Sequence, residues 1–175
     1  PLDLEPSLLA EMPTIGEDGV TWSFRLKKGA HFCDDECFPA GKGREVVTRD
    51  VFYSWKRMAD LGNTPKGWWL FKATIAGFDE YRDAQNAAET FNYDAPVEGF
   101  REISDHEFQI VLTEPVTRFR WILAMPQTAI VAREAVEKYG REFPHHPVGT
   151  GPWIVEDWQP SRHLRLQRNP GYRAE

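Results

Sequence analysis

The densest group of side chains that could do chemistry lies in one loop in the first quarter of the chain. This loop carries a run of potential metal ligands and acid–base groups: His31, Cys33, Asp34, Asp35, Glu36 and Cys37. A structural zinc site normally takes four nitrogen or sulfur ligands, often from cysteines in a C-x₂-C pattern. Here the spacing is C-x₃-C, and the chain holds no second Cys or Cys/His pair. The pattern therefore predicts no metal site, and a run of three acids in a polar loop is typical of a solvated surface.

No other group of residues matches a known catalytic pattern. The sequence contains no G-x-S-x-G elbow, no H-E-x-x-H helix and no P-loop. Gly149-Thr150-Gly151-Pro152 lacks the third glycine of a dinucleotide fingerprint, and His145-His146 has no nucleophile beside it in the sequence. We expect no catalytic residues, no cofactor and no enzymatic activity. A metal-dependent hydrolase that uses residues 31–37 is kept as an alternative.

Composition and charge favour a globular domain and argue against a nucleic-acid-binding or membrane-spanning protein. Hydrophobic residues make up 41% of the 175 and charged residues 27%, values typical of a globular domain. The net charge of −6, with Lys and Arg scattered along the chain, argues against a nucleic-acid partner. The longest apolar run, around residues 121–125, is too short to span a membrane. Because the chain begins at Pro1-Leu2-Asp3 without Met or a signal peptide, we expect a processed or excised segment.

The elements that must position these residues follow from hydrophobic periodicity. Alternation predicts a strand over residues 20–27, an antiparallel hairpin of residues 100–103 and 108–112, and a terminal hairpin from Trp153 through Leu166, and a short apolar run predicts a strand over residues 128–131. Helical patterns predict one helix capped by Thr48 and stopped by Gly62, a second from about Asp79, a third opened by Glu114-Pro115, and a fourth over residues 133–139. Residues 29–45 show no periodicity and are expected to form an exposed loop. The mixture predicts helices and strands in one compact unit.

Five stretches of the sequence, taken in order, resemble the family 5 extracellular solute-binding proteins, the oligopeptide- and dipeptide-binding group. They are Pro6-Ser7-Leu8-Leu9-Ala10-Glu11, residues 20–32, residues 48–60, residues 108–126, and residues 146–153 with Leu164 to Tyr172 after them. The last is the most specific. One departure is the loop over residues 33–45, which is longer than the short Asp-Gly turn usual in the family.

The resemblance implies the fold and the extent of the chain. It implies a mixed α/β (α+β) fold, part of the first lobe of a type II periplasmic-binding-protein fold, with an antiparallel or mixed sheet and short helices. Residues 1–145 would form the middle subdomain of that lobe, and residues 146–175 a return strand pair leading into its base. The second lobe would be absent from this sequence.

The resemblance also implies where ligand contacts lie. Glycines let a backbone approach a ligand closely, which favours Gly149, Thr150, Gly151 and Pro152, although a tight turn would need the same glycines. Adjacent tryptophans in a strand or turn face opposite ways, so Trp68 or Trp69 could reach a ligand cleft, with core packing as the alternative. In the oxidising compartment of an exported protein, Cys33 and Cys37 could form a disulfide, and free thiols in a surface loop are the alternative.

The function implied by the resemblance is capture of an oligopeptide or similar small solute for an ABC importer, without chemistry. The expected partners are a small peptide or similar solute, the permease subunits in the membrane and the second lobe of the same protein. The expected location is periplasmic or exported to the cell surface. A regulator that carries the same fold as an intracellular ligand sensor is the alternative of a different class.

Overall fold

A four-stranded antiparallel sheet organises the first compact unit of the protein, which comprises residues up to 27 together with residues 47–129. The computed structural model describes residues 3–63 and 67–172. The strands are β1 (Thr14–Ile15), β2 (Thr21–Arg25), β3 (Phe100–Ser104) and β4 (Glu107–Val111), in the order β1-β2-β4-β3. The predicted strand near residue 22 and the predicted hairpin are confirmed. They form one sheet because Phe24 of β2 lies opposite Phe108 of β4.

Helix α1 (Thr48–Lys56) packs against the strand hairpin and is buried almost all round. The prediction that Thr48 is its cap is wrong. The cap position is Val47, whose amide donates to Asp50 Oδ2 (2.9 Å), whereas the Thr48 hydroxyl donates to the Ser104 carbonyl (2.8 Å). The predicted stop at Gly62 is also wrong: the helix ends at Lys56, because the following residues make tighter hydrogen bonds, as from the Met58 amide to the Trp55 carbonyl.

Aromatic rings fill the core of this unit. Phe24 stacks on Phe108 with ring centroids 4.8 Å apart, and Phe78 lies 5.0 Å from Phe100. The largest side chains that are almost fully buried include Phe71, Phe78 and Phe119. The high aromatic content of the sequence is therefore used here mainly for packing, where offset and edge-to-face pairs add to the free energy of burial.

The remaining helices of this unit are α2 (Phe78–Ala87) and α3 (Phe119–Leu123). The prediction of α2 is confirmed. Helix α3 begins later than Glu114-Pro115, because it is preceded by a turn that the Phe119 amide closes by donating to the Val116 carbonyl (3.1 Å). The predicted strand over residues 128–131 is wrong: Pro126–Thr128 is a 3-10 turn, closed by the Thr128 hydroxyl, which donates to the Met125 carbonyl (2.8 Å).

The second compact unit comprises residues 28–46 and the chain from residue 130 onward. It contains α4 (Arg133–Tyr139), a 3-10 helix (Gly140–His145) and a hairpin of β5 (Trp153–Gln159) and β6 (His163–Arg168). The predicted helix and hairpin are confirmed, and Gly140 ends α4 with a positive φ of 50°. The mixed α/β fold class is confirmed, with every strand pair in the described ranges antiparallel.

Residues 29–45 are not the exposed loop that the sequence predicts. They include the 3-10 turn Pro39–Gly41, and their apolar side chains form the core of the second unit. The fully or nearly buried members are Phe32, Cys33, Phe38, Val46, Ala132, Ala135 and Val148. Periodicity failed here because an irregular segment places its apolar residues by individual turns rather than by a repeat.

The two compact units group the chain differently from the expected division at residues 145 and 146. Residues 28–46 pack with the chain after residue 130 because their apolar side chains share its core. The assignment of residues 1–145 and 146–175 to subdomains of a lobe stays a prediction. Within residues 3–63 and 67–172, no helix has the length and apolar character needed to cross a membrane.

Candidate functional site

Residues 146–152 form the segment that best fits a ligand-contacting backbone, and side chains fasten its first residue. It connects the 3-10 helix Gly140–His145 to β5. The His146 ring stacks on the Tyr139 ring with centroids 3.9 Å apart. His146 Nε2 donates to Asp35 Oδ2 at 2.9 Å, because a carboxylate can only accept.

The middle and the end of the segment are fastened as well. Val148 is buried in the core of the second unit, and the Gly149 carbonyl accepts from the Cys33 amide at 2.8 Å. Asn169 holds the far end: its side-chain amide donates to the Gly151 carbonyl (3.0 Å), and its backbone amide donates to the Pro152 carbonyl (2.8 Å). The segment is therefore held at both ends and at Gly149.

Nothing inside the described chain requires glycine at positions 149 and 151. A Cβ built at either residue meets no atom within 4 Å, and neither residue has a left-handed φ. Among the described residues, the amides of Gly149, Thr150 and Gly151 donate to no protein acceptor. The structure thus gives no support to the tight-turn explanation of these glycines, and leaves main-chain donors on an ordered segment.

Asp35 is the electrostatic centre of this arrangement. Besides His146, its carboxylate accepts from the Tyr139 hydroxyl (2.7 Å) and from the Cys37 amide (2.8 Å). Burial alone raises the pKa of Asp35, but the hydrogen bonds from Tyr139, Cys37 and His146 outweigh it and hold the pKa below its usual value. Burial and the Asp35 carboxylate raise the pKa of Tyr139. Asp35 therefore stays a carboxylate and Tyr139 a donor at neutral pH.

Both cysteines of the loop are free thiols in the structure. Cys33 is buried, so the expectation of thiols in a surface loop is wrong for it, since its neighbours Phe32 and Val148 place it in the core. Burial raises the pKa of Cys33, and burial together with Asp35 raises the pKa of Cys37 to about 12. A disulfide between Cys33 and Cys37 stays a prediction.

The potential metal ligands of residues 31–37 point to different partners. Asp34 pairs with Lys42 Nζ at 2.6 Å, and His31 Nδ1 lies 2.9 Å from the Gly29 carbonyl. Among residues 3–63 and 67–172, no three side chains of His, Cys, Asp or Glu are placed to hold one metal ion. Asp34 and Asp35 instead bond groups of the loop and of the segment around His146.

The two tryptophans lie in the first unit, on the 3-10 turn Trp68–Leu70 rather than on a strand. Trp68 packs edge-on against Phe78 (5.1 Å between centroids), and the Arg82 guanidinium lies over its ring. Trp69 is 64% exposed. Trp68 therefore serves packing, and a ligand contact at Trp69 stays a prediction.

A shallow depression of about 240 Å³ lies on the four-stranded sheet of the first unit. It is lined by polar side chains and by four apolar ones, Met12, Phe24, Ile103 and Phe108. Its charged groups are paired with one another, since Arg25 contacts both Glu11 (3.3 Å) and Glu107 (3.1 Å). These pairs leave no convergent group aimed at a ligand.

Sequence reasoning missed two residues of the candidate segment's surroundings. Asn169 is 6% exposed and satisfies two carbonyls of the segment, yet it reads in the sequence as part of an Asn-Pro-Gly turn. Trp153 follows Pro152 directly and is 61% exposed. The sequence does give a signal for Trp153, because an aromatic residue lies close to the two glycines. It gives no signal that Asn169 is buried.

Comparison with known proteins places the chain in a family. The model of the bacterial extracellular solute-binding proteins, family 5 middle, matches residues 3–175. The periplasmic oligopeptide-binding protein of Escherichia coli (strain K12) is 30% identical over 159 residues, which cover 89% of this chain and 26% of that protein. The glutathione-binding protein of Shigella dysenteriae serotype 1 is 28% identical over 166 residues, 95% of this chain and 26% of that protein.

Solved structures agree in fold. The periplasmic oligopeptide-binding protein of Borrelia burgdorferi superposes with a TM-score of 0.78 at 22% identity, over 95% of this chain and 31% of that one. A Listeria monocytogenes oligopeptide-binding protein bound to peptide gives 0.76 at 20% identity, over 95% of this chain and 30% of that one. The chain thus spans between a quarter and a third of the length of these proteins.

Proposed function

We propose that this chain, which belongs to the bacterial extracellular solute-binding proteins of family 5, is the part of such a protein that presents residues 149–152 to a captured oligopeptide or similar small solute. The observation that carries the proposal is the state of that segment. Its backbone is fastened by Cys33 and Asn169, while its glycine α-carbons face open space and its amides have no acceptor among the described residues.

Such a segment suits recognition of a main chain rather than of a particular side chain. An extended peptide offers carbonyl acceptors at regular spacing, and hydrogen bonds to them give affinity that tolerates many sequences. Relatives named for oligopeptide and glutathione binding support a peptide-like ligand. Capture needs no covalent chemistry, and we propose none.

The same proposal implies the domains, location and partners of the complete protein. Residues 1–145 would be the middle subdomain of a first lobe, and residues 146–175 the strand pair that enters the base of that lobe. A second lobe would close over the ligand and shift the population toward a closed state. The protein would act outside the cytoplasm, in the periplasm or at the cell surface, and deliver its cargo to ABC permease subunits.

The test is peptide binding by the complete protein that contains this chain. We expect mass spectrometry to find peptides that copurify with it, and calorimetry to measure binding of the tripeptide Ala-Ala-Ala after they are removed. Absence of both would overturn the proposal.

The role of residues 149–152 is tested by Gly151→Ala. Because a Cβ at this position meets no atom within 4 Å, the variant should unfold at the same urea concentration as the parent. Its affinity for the tripeptide should fall, since the added methyl occupies the space that a ligand backbone would approach. Unchanged affinity would place the ligand elsewhere.

A further inference from the structure

Asp35 connects two parts of the chain that are far apart in sequence. Within the loop it orders its own surroundings, because one carboxylate oxygen accepts from the Cys37 amide at 2.8 Å. Across the unit it accepts from Tyr139 (2.7 Å) and from His146 (2.9 Å). Its side chain is 13% exposed, so the bonds from Tyr139 and Cys37 are partly buried, where a lost partner costs more than at the surface, whereas the bond from His146 is exposed.

The contacts of Asp35 bear directly on the candidate segment. His146 lies three positions before Gly149, and its ring is clamped between the Asp35 carboxylate and the face of Tyr139. Cys33, two positions before Asp35, donates its amide to the Gly149 carbonyl. The loop therefore holds the segment at His146 and at Gly149. Asp35 bonds His146 directly, and it orders the loop that carries Cys33, which bonds Gly149.

We propose that Asp35 is a positioning residue for ligand binding, which holds the backbone of residues 149–151 in the conformation that meets the ligand. This inference rests on the proposed function, in which residues 149–151 contact the ligand. Asp35 touches no ligand itself; it acts through His146, Tyr139 and the loop that carries Cys33. The ligand class is unchanged, a peptide or similar solute recognised through its main chain.

Population arithmetic gives the expected size of the effect. The apparent dissociation constant rises in inverse proportion to the fraction of molecules in the binding-competent conformation. Removal of the Asp35 carboxylate breaks three hydrogen bonds at once, two of which are partly buried. If the held fraction falls to roughly one tenth, the apparent dissociation constant rises about tenfold.

The experiment compares Asp35→Ala and Asp35→Asn with Asp34→Asn in the complete protein. Asp34→Asn is the matched control, because it removes the same charge from the adjacent residue. Among the described residues, Asp34 bonds within the loop alone, to Lys42 (2.6 Å) and the Gly43 amide (3.0 Å). Asp35→Asn keeps one oxygen acceptor for Tyr139. Its effect should therefore be smaller than that of Asp35→Ala.

The first readout is hydrogen exchange of the Cys33 amide, which is protected by its bond to the Gly149 carbonyl (2.8 Å) and requires no ligand. We expect Asp35→Ala to speed exchange of this amide about tenfold, with no change at β2 or β4 and no effect of Asp34→Asn. Equal acceleration throughout the protein would reduce Asp35 to a general structural role and overturn the proposal. So would unchanged exchange of the Cys33 amide.

The second readout is calorimetric binding of Ala-Ala-Ala, which separates this inference from the proposed function. Binding by the parent protein that weakens about tenfold in Asp35→Ala supports both. A parent protein that binds no peptide defeats the proposed function, while the exchange result still decides the role of Asp35. Peptide binding that Asp35→Ala leaves unchanged defeats the inference alone.

Discussion

Glycines in this chain differ in what surrounds their α-carbons. At Gly43, a Cβ would lie 1.9 Å from the Phe32 carbonyl oxygen and 2.8 Å from that of Cys33. At Gly149 it would meet nothing within 4 Å. The first glycine is required by the packing of two backbone segments, and backbone cannot yield as the end of a flexible side chain can. The second is open to the outside of the described chain.

We therefore expect opposite outcomes for the same substitution. Gly43→Ala should lower the free energy of unfolding by at least about 2 kcal/mol, since it forces the loop away from Phe32. Gly149→Ala should change it by less than about 1 kcal/mol. Urea unfolding followed by circular dichroism measures both. A Gly43→Ala protein as stable as the parent would contradict this account of the loop.

The two thiols should be unreactive in the folded protein. With its pKa raised to about 12, Cys37 holds only about one thiolate in ten thousand molecules at pH 8, and the pKa of the buried Cys33 is raised as well. We expect slow reaction with an aromatic disulfide reagent in buffer and rapid reaction of two thiols per chain in urea, whereas a Cys33–Cys37 disulfide would give no reaction in either. Rapid reaction of either thiol in the native protein would show that the loop opens or differs from this structure.

At the scale of elements, a half-buried ion pair fastens the loop to helix α4. Arg44 donates to both oxygens of Glu134, at 2.6 and 2.9 Å, and its guanidinium lies 5.4 Å from the centre of the Phe32 ring. Burial alone raises the pKa of Glu134, but Arg44 and, more weakly, Arg133 outweigh it and hold the pKa below the usual 4.5. A bidentate pair of this kind fixes orientation as well as distance.

The sign of the resulting pH dependence follows from the lowered pKa. Because Glu134 binds its proton less readily in the folded chain than in the unfolded one, it contributes stability above about pH 4.5, and this is lost as the pH falls through the folded pKa. Glu134→Gln should weaken that part of the acid dependence. Urea unfolding between about pH 3 and 7 checks this. An identical pH profile in the variant would show that the pair contributes nothing.

The sequence predicted most helices and strands of this chain, but not the side-chain bonds that hold the loop in place. Alternation and helical periodicity gave β2, β4, α4 and the terminal hairpin, because each repeats over several neighbouring residues. The bonds of Asp35 to His146 and of Arg44 to Glu134 join residues 111 and 90 positions apart. Such pairs produce no periodic pattern in a single sequence. From the sequence alone, the three acids at residues 34–36 therefore predict a solvated surface.

At the scale of the whole molecule, the hairpin of β5 and β6 leaves an apolar face uncovered. Strand pairing places Trp153, Trp158, Leu164 and Leu166 on one face, and Leu164 and Leu166 are 53% and 45% exposed. Ile154, on the opposite face, packs against the core of the second unit. Clustered apolar surface of this kind marks a contact site for other protein.

Residues 1–175 expressed by themselves should therefore self-associate. We expect sedimentation velocity to show a concentration-dependent shift toward dimers. Leu166→Lys should suppress the shift, because it places a charge in the middle of the apolar face. Gln167→Lys adds the same charge on the opposite face and serves as the control. A monomer at all concentrations would show that this face is not adhesive.

By itself, the sequence determined the fold class, most elements and the family, because these depend on local periodicity and on motifs that keep their order along the chain. The tertiary structure decided which residues surround the candidate segment. It placed the apolar side chains of residues 29–45 in a core, gave Trp68 a packing contact and left Trp69 exposed, and brought Asp35 and Cys33 to residues 146–149. Those outcomes depend on partners distant in sequence, and burial and hydrogen bonding between such partners exist only once the chain is folded.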